Sequence, residues 1–261
     1  MVYYAGSNLV SKGSLFLHLW TGEYDLTFNE VLARTIASQI CANQGDEFGL
    51  VEAFAHVCHF LHDNPDRLSL RSKATAPSLM LTSSGLQLLA KTYFTAYRKS
   101  DLPVIPGTVP DTIVSVVMME AFGYSQRDVD RIKIEHQLAM SAENCVGALL
   151  ERYLDSVLRP YGWYWCCGSF VKAVDFIRHD HGMNWLTLQI KNRDNSENSS
   201  SSAIRNGTPI QKWFRSFSRT GATNWSNLPP LMHGYNLSEQ GFTEYVRAYL
   251  LKERQRTQQA P

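Results

Sequence analysis

The sequence predicts an α/β protein in which a central mixed β-sheet is flanked by helices and preceded by a helical region. Apolar residues recur at helical spacing over residues 146–158, as on one face of an amphipathic helix. Three runs rich in aromatic and β-branched residues follow at 163–167, 169–177 and 185–190, and such runs are typical of strands. A composition of 44% hydrophobic and 19% charged residues is ordinary for a globular chain with a substantial core.

Helical patterns dominate the first half of the chain. The segment from Thr27 to Glu30 has the form of a capping box, which would begin a helix that runs to about Asn43. Four more helices are predicted in this half, at residues 48–62, 83–97, 110–122 and 125–140. Because these helices show no obvious chemistry, we expect a helical region at 1–140 and a core with the functional site at 141–261.

The helix over residues 146–158 is expected to end in a turn. Pro160 cannot continue a helix and disfavours the helical conformation at the preceding residue, and Gly162 lets the chain reverse. The order of elements in the core is therefore one helix followed by strands.

Polar side chains at the ends of two predicted strands could act together. Side chains alternate between the faces of a strand, so Gln189 and Lys191 share one face. Asp175 ends the neighbouring strand, and hairpin pairing would bring its carboxylate towards both. A carboxylate, an amide oxygen and the carbonyl of Ile190 are hard oxygen ligands of the kind that Mg²⁺ accepts. Lys191 could orient or deprotonate an attacking water, or stabilise charge on a phosphoryl oxygen, which indicates phosphodiester hydrolysis.

This order of residues resembles the PD-(D/E)xK nuclease superfamily. Asp175 stands at the Asp of the family's PD pair, with Val174 in place of the Pro, and Lys191 matches the Lys. Gln189 stands where the family usually has Asp or Glu, which removes one charge from the metal site and leaves the number of bound metal ions open. A Gln-x-Lys pair alone is common on strands, so the joint order of the residues is what favours a nuclease.

The resemblance also implies a Glu from the preceding helix. Gly147, Glu151 and the pair at 162–163 fit the superfamily's Gly-x-x-x-Glu helix followed by Gly and an aromatic residue. Glu143, two turns earlier on the same side of the helix, is the competing candidate. The implied catalytic residues are Asp175, Gln189, Lys191 and Glu151, and the implied metal ligands are Asp175, Gln189, Ile190 and Glu151.

A polar and basic segment follows the last predicted strand. Residues 191–219 contain six basic and two acidic residues, a local charge of +4 in a chain whose net charge is +1. Positive charge is thus concentrated where phosphates would lie. The alternative is a flexible Ser/Asn linker with a solvated basic helix after it. The predicted contacts to DNA are Arg193, Asn195, Ser196, Asn198 and Arg205, with Lys212 and Arg215 on phosphates.

Within the superfamily the chain is similar to type II restriction endonucleases, and residues 191–200 resemble the SinI-type enzymes that cut GG(A/T)CC sites. The resemblance implies Mg²⁺-dependent cleavage of double-stranded DNA at a short palindrome by a homodimer. Residues 1–140 would then form the dimer contact and brace the DNA. Two alternatives stay open: a structure-selective repair or recombination nuclease of the same superfamily, and a DNA-binding protein without catalysis.

Other classes of protein are disfavoured by the sequence. It has no run of eighteen apolar residues and no N-terminal secretion signal, so we expect a cytoplasmic protein without a membrane span. Its five Cys form no C-x-x-C pair, which indicates free thiols rather than disulfides or a zinc site. A metabolic enzyme that binds nucleotides is disfavoured because no phosphate-cradling Gly-rich loop occurs.

Overall fold

The computed structural model describes residues 28–42, 49–69, 81–104, 107, 109, 111–180, 184–194 and 207–259. Over these residues the chain has a four-stranded mixed sheet flanked by helices and a helical N-terminal region, which confirms the predicted fold class. The helices are α1 (Glu30–Cys41), α2 (Leu50–Asp63), α3 (Ser83–Arg98), α4 (Thr112–Phe122), α5 (Gln126–Leu158) and α6 (Glu239–Gln259). The strands are β1 (Tyr164–Trp165), β2 (Phe176–His179), β3 (Trp185–Arg193) and β4 (Gln211–Ser216).

The four strands lie side by side in the order in which they occur along the chain. β1 pairs antiparallel with β2, β2 pairs antiparallel with β3, and β3 and β4 are parallel. Phe176 of β2 stands opposite Leu188 of β3, and both side chains are fully buried. The predicted hairpin is therefore present, and it brings the start of β2 beside the middle of β3.

Helices cover both faces of the sheet. Neighbouring residues in a strand point to opposite faces. In β1 the ring of Tyr164 stacks on His56 of α2, with centroids 4.3 Å apart, whereas the indole of Trp165 bonds to Glu151 of α5. α1 and α3 pack with α2, and α6 packs on α5. The buried apolar residues of the helices and the sheet form one continuous core.

The start of α1 differs from the prediction. Its N-cap is Asn29, whose side chain accepts the amide of Leu32 at 2.9 Å. The predicted capping box began at Thr27, which lies outside the described residues, and the helix ends at Cys41 rather than near Asn43. Asn caps a helix well because its short side chain reaches the free amides of the first turn.

α5 is a single helix of 33 residues, about 50 Å long at 1.5 Å per residue. The sequence predicted two helices here, at 125–140 and 146–158, and this division is wrong. The stretch between them, residues 141–145, has neither Pro nor Gly, so nothing in it stops the helix. The predicted boundary between the helical region and the core, at residues 140 and 141, falls inside α5 and stays a prediction.

Arg152 fixes α5 to the connector that follows α3. Its guanidinium donates to the carboxylate of Asp101 and to the backbone carbonyls of Tyr97 and Lys99, the latter two at 2.8 and 2.6 Å. The side chain is only 9% exposed, so these partners replace the water that a buried cation has lost. Because Arg152 directly follows Glu151, these contacts fix the position of α5 next to Glu151.

The strands also differ from the predicted ranges. The predicted strand at 169–177 begins only at Phe176, because Gly168 and Ala173 have left-handed backbone angles, φ 98° and 58°, that interrupt extended pairing. The run at 163–167 contributes only the two residues of β1, and β3 continues past 190 to Arg193.

Two elements were not predicted as such. Neither the strand β4 nor the C-terminal helix α6, which runs to Gln259, was assigned from the sequence. The five Cys are free thiols as predicted, and four of them are buried. None of the helices in the described ranges is long and apolar enough to cross a membrane.

Candidate active site

Asp175 lies directly before β2 and is held from both neighbouring strands. Its amide donates to the carbonyl of Leu188 and its carbonyl accepts the amide of Cys166, both at 2.8 Å. Its side-chain Oδ2 accepts the amide of Ile190 at 2.6 Å. Asp175 was predicted at the end of a strand and lies instead at the start of β2. The hairpin still brings its carboxylate to β3.

Glu151 approaches the same place from α5. Its side chain is half-buried, and Oε2 accepts the indole N–H of Trp165 at 2.8 Å. Burial and the negative charge of Asp175 raise the pKa of Glu151 to about 8, although the hydrogen bond from Trp165 and the charge of Lys191 act in the opposite direction. Asp175 is thus close enough for its negative charge to oppose ionisation of Glu151.

The pKa of Asp175 is also raised above its ordinary value. Burial is the largest cause, and the amide of Ile190 and the charge of Lys191 lower the pKa in part. Two carboxylates beside a single ammonium group leave one negative charge uncompensated when both are ionised. A further cation would favour the ionised forms of both carboxylates, so the electrostatics of the site favours a metal ion.

Glu151 and Lys191 line a cavity of about 440 Å³ between α5 and the sheet. Asp175 is not among the lining residues, but its carboxylate accepts the amide of Ile190, which is. The volume of the cavity is in the range of ligand pockets in proteins. The helix side is formed by Glu143, Asn144, Val146, Gly147, Leu150 and Glu151. The sheet side is formed by Ile190, Lys191, Asn192, Arg193 and Arg215.

The structure separates the two candidates for the helical Glu. The side chain of Glu143 is 69% exposed, and its carboxylate lies 3.7 Å from the guanidinium of Arg193. Glu151 lies two turns further along α5 and shares the charge environment of Asp175 and Lys191. The geometry therefore favours Glu151 as the acid at the centre of the site.

Gln189 lies in β3 opposite Lys212 of β4 and is 2% exposed. The residues that line the cavity include its neighbours Ile190 and Lys191 but not Gln189 itself. The metal-ligand roles of Gln189 and of the Ile190 carbonyl stay predictions.

Three of the seven predicted DNA contacts are described, namely Arg193, Lys212 and Arg215. Arg193 and Arg215 line the cavity, whereas Lys212 lies on β4. The other four, Asn195, Ser196, Asn198 and Arg205, lie outside the described residues.

Arg215 is held in a fixed position at the cavity wall. Its guanidinium donates to the Asn192 side chain at 2.9 Å and to Glu239 at 2.6 Å, and lies 5.2 Å from the ring centroid of Phe242. The second oxygen of Glu239 accepts the indole N–H of Trp225 at 2.7 Å. The predicted contact of Arg215 to a DNA phosphate stays a prediction.

Sequence reasoning missed the residues that hold the site in place. Trp165 was assigned to a strand without a role, although it lies two residues after the Gly-Trp pair that carried part of the resemblance. Asn192 and Glu239 were not connected to Arg215, because their contacts depend on the pairing of β3 with β4 and on α6.

A larger cavity, of about 1010 Å³, lies against α5, α6 and the end of α3. Its two buried arginines are already neutralised, Arg152 by Asp101 and Arg159 by Asp155 at 2.6 Å. Six basic side chains line it against only two acids, Asp155 and Glu253. The smaller cavity, where Glu151 lies in the charge environment of Lys191 and Asp175, is therefore the candidate active site.

The donor set of the smaller cavity suits a hard metal ion. In the described part of the chain no cluster of three or more His, Cys, Asp or Glu residues could hold a metal. The cavity itself offers the carboxylate of Glu151, and the carboxylate of Asp175 lies beside the lining residue Ile190. The neutral oxygens of Gln189 and Ile190 are on the same strand, β3. Such an all-oxygen set fits Mg²⁺, which retains water as its remaining ligands.

Proteins with similar sequences are restriction enzymes. The SinI restriction endonuclease family matches residues 33–252, which include every residue that lines the cavity. The chain is 44% identical over 204 residues to the type II restriction enzyme Eco47I of Escherichia coli, a match that covers 78% of this chain and 88% of that enzyme. It is 43% identical over 221 residues to the type II restriction enzyme SinI of Salmonella infantis, with 84% and 95% covered.

Proposed function

The chain belongs to the SinI restriction endonuclease family, and on that premise we propose that Glu151, Asp175 and Lys191 are the centre of its active site. It is a type II restriction enzyme, a deoxyribonuclease that cleaves DNA at a specific sequence and uses a divalent metal ion. The observation that supports the site is the approach of α5 to β3 at one cavity, with Asp175 held against β3 by the amide of the lining residue Ile190. There two carboxylates with raised pKa values share the charge of one lysine.

Mg²⁺ is the metal ion that we propose. Glu151 and Asp175 would hold it, with Gln189 and the Ile190 carbonyl as neutral donors, because all four present oxygen atoms. When bound, the ion polarises a phosphoryl oxygen and lowers the pKa of a bound water. The hydrogen bonds from Trp165 and from the Ile190 amide orient the two carboxylates towards that role.

Lys191 is placed to act on the reacting atoms. It lies on the sheet side of the cavity, and its charge favours the ionised forms of both carboxylates. A positive group in this position can orient the attacking water and stabilise the negative charge that develops on the phosphoryl oxygen.

DNA would approach the sheet side of the cavity, where Arg193 and Arg215 supply positive charge for the phosphates. The segment between β3 and β4 would read base edges through Asn195, Ser196, Asn198 and Arg205, with Lys212 on a phosphate. A palindromic target is read by two symmetric copies, so we propose that the enzyme acts as a homodimer. The similarity to SinI-type enzymes implies a GG(A/T)CC target.

Digestion of unmethylated plasmid and genomic DNA, followed by sequencing of the fragment ends, tests the proposed function. The purified full chain is incubated with Mg²⁺, with Ca²⁺ and with a chelator. We expect discrete fragments with Mg²⁺ only, and ends that share the sequence GG(A/T)CC. Fragments without a common sequence would contradict the target, and cleavage in the presence of chelator would contradict the metal site.

A further inference from the structure

α4 is apolar on almost every side, yet little of the described chain covers it. Glu120 is the only charged residue within the helix, and Ser115 is its only buried residue. Four of its β-branched side chains are between 45% and 62% exposed, namely Ile113, Val114, Val116 and Val117. A helix that is apolar all round is normally buried, so the exposed surface of α4 is a candidate for contact with another molecule.

α4 and the first half of α5 form a helical hairpin, here called the arm (residues 111–144). Residues 123–125 join the two helices, with Gly123 ending α4 in the left-handed conformation and Ser125 capping α5. Such a short turn makes the helices antiparallel neighbours. Within the arm α5 buries only Val129 and Ser141, whereas the helix joins the main core from Leu149 onwards.

The exposed apolar surface continues from Phe122, the last residue of α4, which is 69% exposed. Beyond α4 it includes Tyr124 at 44%, Ile134 at 60%, Leu138 at 48% and Met140 at 44% exposure. Together with the four residues of α4, these side chains expose on the order of 900 Å², and a standard protein interface takes about 800 Å² from each partner. The arm thus offers enough apolar area for a specific interface with a folded protein.

Charge distinguishes between the possible occupants of this surface. Residues 111–144 contain six acidic and three basic residues, a formal charge of −3. The phosphates of DNA would be repelled by such a surface, since DNA binding depends on positive charge. The arm is therefore not suited to bracing DNA, and its apolar area calls for a protein partner.

We propose that the arm is the surface through which two copies of this chain associate. Two helical hairpins packed about a two-fold axis form a four-helix bundle, which buries the outward faces of both. The choice of a second copy rests on the proposed function, because two symmetric subunits read a palindrome. The apolar area of the arm is an independent observation.

Sedimentation velocity of the full chain tests the arm through Val117→Glu. Val117 is 51% exposed, and Glu favours a helix more than Val does, so the variant should fold. We expect a wild-type dimer and a dissociation constant raised about 30-fold or more in the variant. Val31→Glu is the matched control, because Val31 is 73% exposed on α1, and this variant should remain a dimer. Ile134→Lys repeats the test from α5, and thermal unfolding shows that each variant is folded.

A wild-type chain that stays monomeric overturns the proposal, as does a folded Val117→Glu protein that dimerises like the wild type. Digestion of DNA by the same proteins separates this result from the proposed function. The wild-type chain could be a dimer that Val117→Glu disrupts and yet fail to cut DNA. This result would support the arm as the dimer interface and reject the nuclease function. If the chain cuts its site and the Val117→Glu variant remains a dimer, the arm is rejected as the dimer interface and the nuclease function stands.

Discussion

The indole N–H of Trp165 donates a hydrogen bond to Oε2 of Glu151 at 2.8 Å, joining β1 to α5 inside the candidate active site. The bond lowers the pKa of Glu151, against the larger effects of burial and Asp175. It also restricts rotation of the carboxylate. Trp165 is therefore a positioning residue, which acts on the site through Glu151.

Trp165→Phe should weaken the binding of the metal ion that cleavage requires, without changing the target. The substitution keeps an aromatic ring in the core but leaves Glu151 without its donor. Loss of such a supporting bond typically costs about 10–100-fold in metal affinity or activity. We expect the Mg²⁺ concentration for half-maximal cleavage to rise in that range.

Trp185→Phe is the matched control for Trp165→Phe. Trp185 donates its indole N–H to Asp63 at 2.7 Å, a bond of the same kind that lies outside the cavity. Its loss should leave the Mg²⁺ dependence unchanged. Equal shifts in the two variants would mean that the effect comes from packing and not from Glu151.

Glu151→Gln and Glu143→Gln together identify the helical acid. Both residues lie on α5 at the cavity, but only Glu151 shares its charge environment with Asp175 and Lys191. We expect cleavage to fall by about 10²-fold or more for Glu151→Gln, because a metal ligand loses its charge. Glu143→Gln should cut at nearly the wild-type rate. If Glu143→Gln lowered the rate of plasmid cleavage more than Glu151→Gln does, the metal ligand would be Glu143 and not Glu151.

Lys191→Ala should abolish cleavage while DNA binding is retained. Removal of one group that stabilises charge in a transition state commonly lowers the rate by about 10²–10³-fold. Lys172→Ala is the control, since Lys172 donates to the Asp66 carbonyl and does not line the cavity. Gel-shift affinity and single-turnover cleavage are measured for both variants. If the Lys191→Ala enzyme cleaves DNA at the wild-type rate, Lys191 has no role in the mechanism.

The raised pKa of Glu151 predicts how the stability of the metal-free protein depends on pH. Its pKa is about 8 in the folded protein against 4.5 without the fold, so the folded state binds the additional proton between these values. Stability is therefore lost as pH rises from about 4.5 to about 8, and the full cost is present above 8.

The amide side chain in Glu151→Gln cannot ionise, so the variant should not lose stability as pH rises in the way that Glu151 causes. In a chelator at pH 8.5 we expect its Tm to exceed that of the wild type by at least about 2–4 °C, which corresponds to ~1 kcal/mol for a chain of this size. At pH 4 the two proteins should melt together. Asp175 contributes to the slope of both proteins, so the difference between them reports Glu151 together with its interaction with Asp175. A difference in Tm that is independent of pH would contradict the assignment.

The parts of the fold that depend on local pattern were predictable from the sequence. The approach of Asp175 to β3 follows from strand periodicity and a short turn, and the structure has this hairpin. The exact placement of Asp175 was missed, because the left-handed backbone at Ala173 depends on the surrounding structure and not on residue type.

The elements that were missed depend on distant contacts. β4 is a strand because it pairs in parallel with β3 across a long connection. α6 is mostly polar, and it is held by Phe242 in the core and by packing on α5. Trp165 and Glu151 are fourteen residues apart, and their contact requires that α5 lie across β1. Neither propensity nor periodicity contains that information.

The unbroken course of α5 connects the arm with the acid of the cavity through one rigid element. Val129 and Glu151 are 22 residues apart along it, or about 33 Å at 1.5 Å per residue. In a dimer joined by the arms, this length fixes how far apart the two scissile phosphates lie, and hence the length of the single-stranded ends after cleavage. Inserting one residue would rotate the arm by about 100° and misalign the subunits. Inserting seven would nearly restore its orientation while moving the arm roughly 10 Å further from Glu151 along the helix axis.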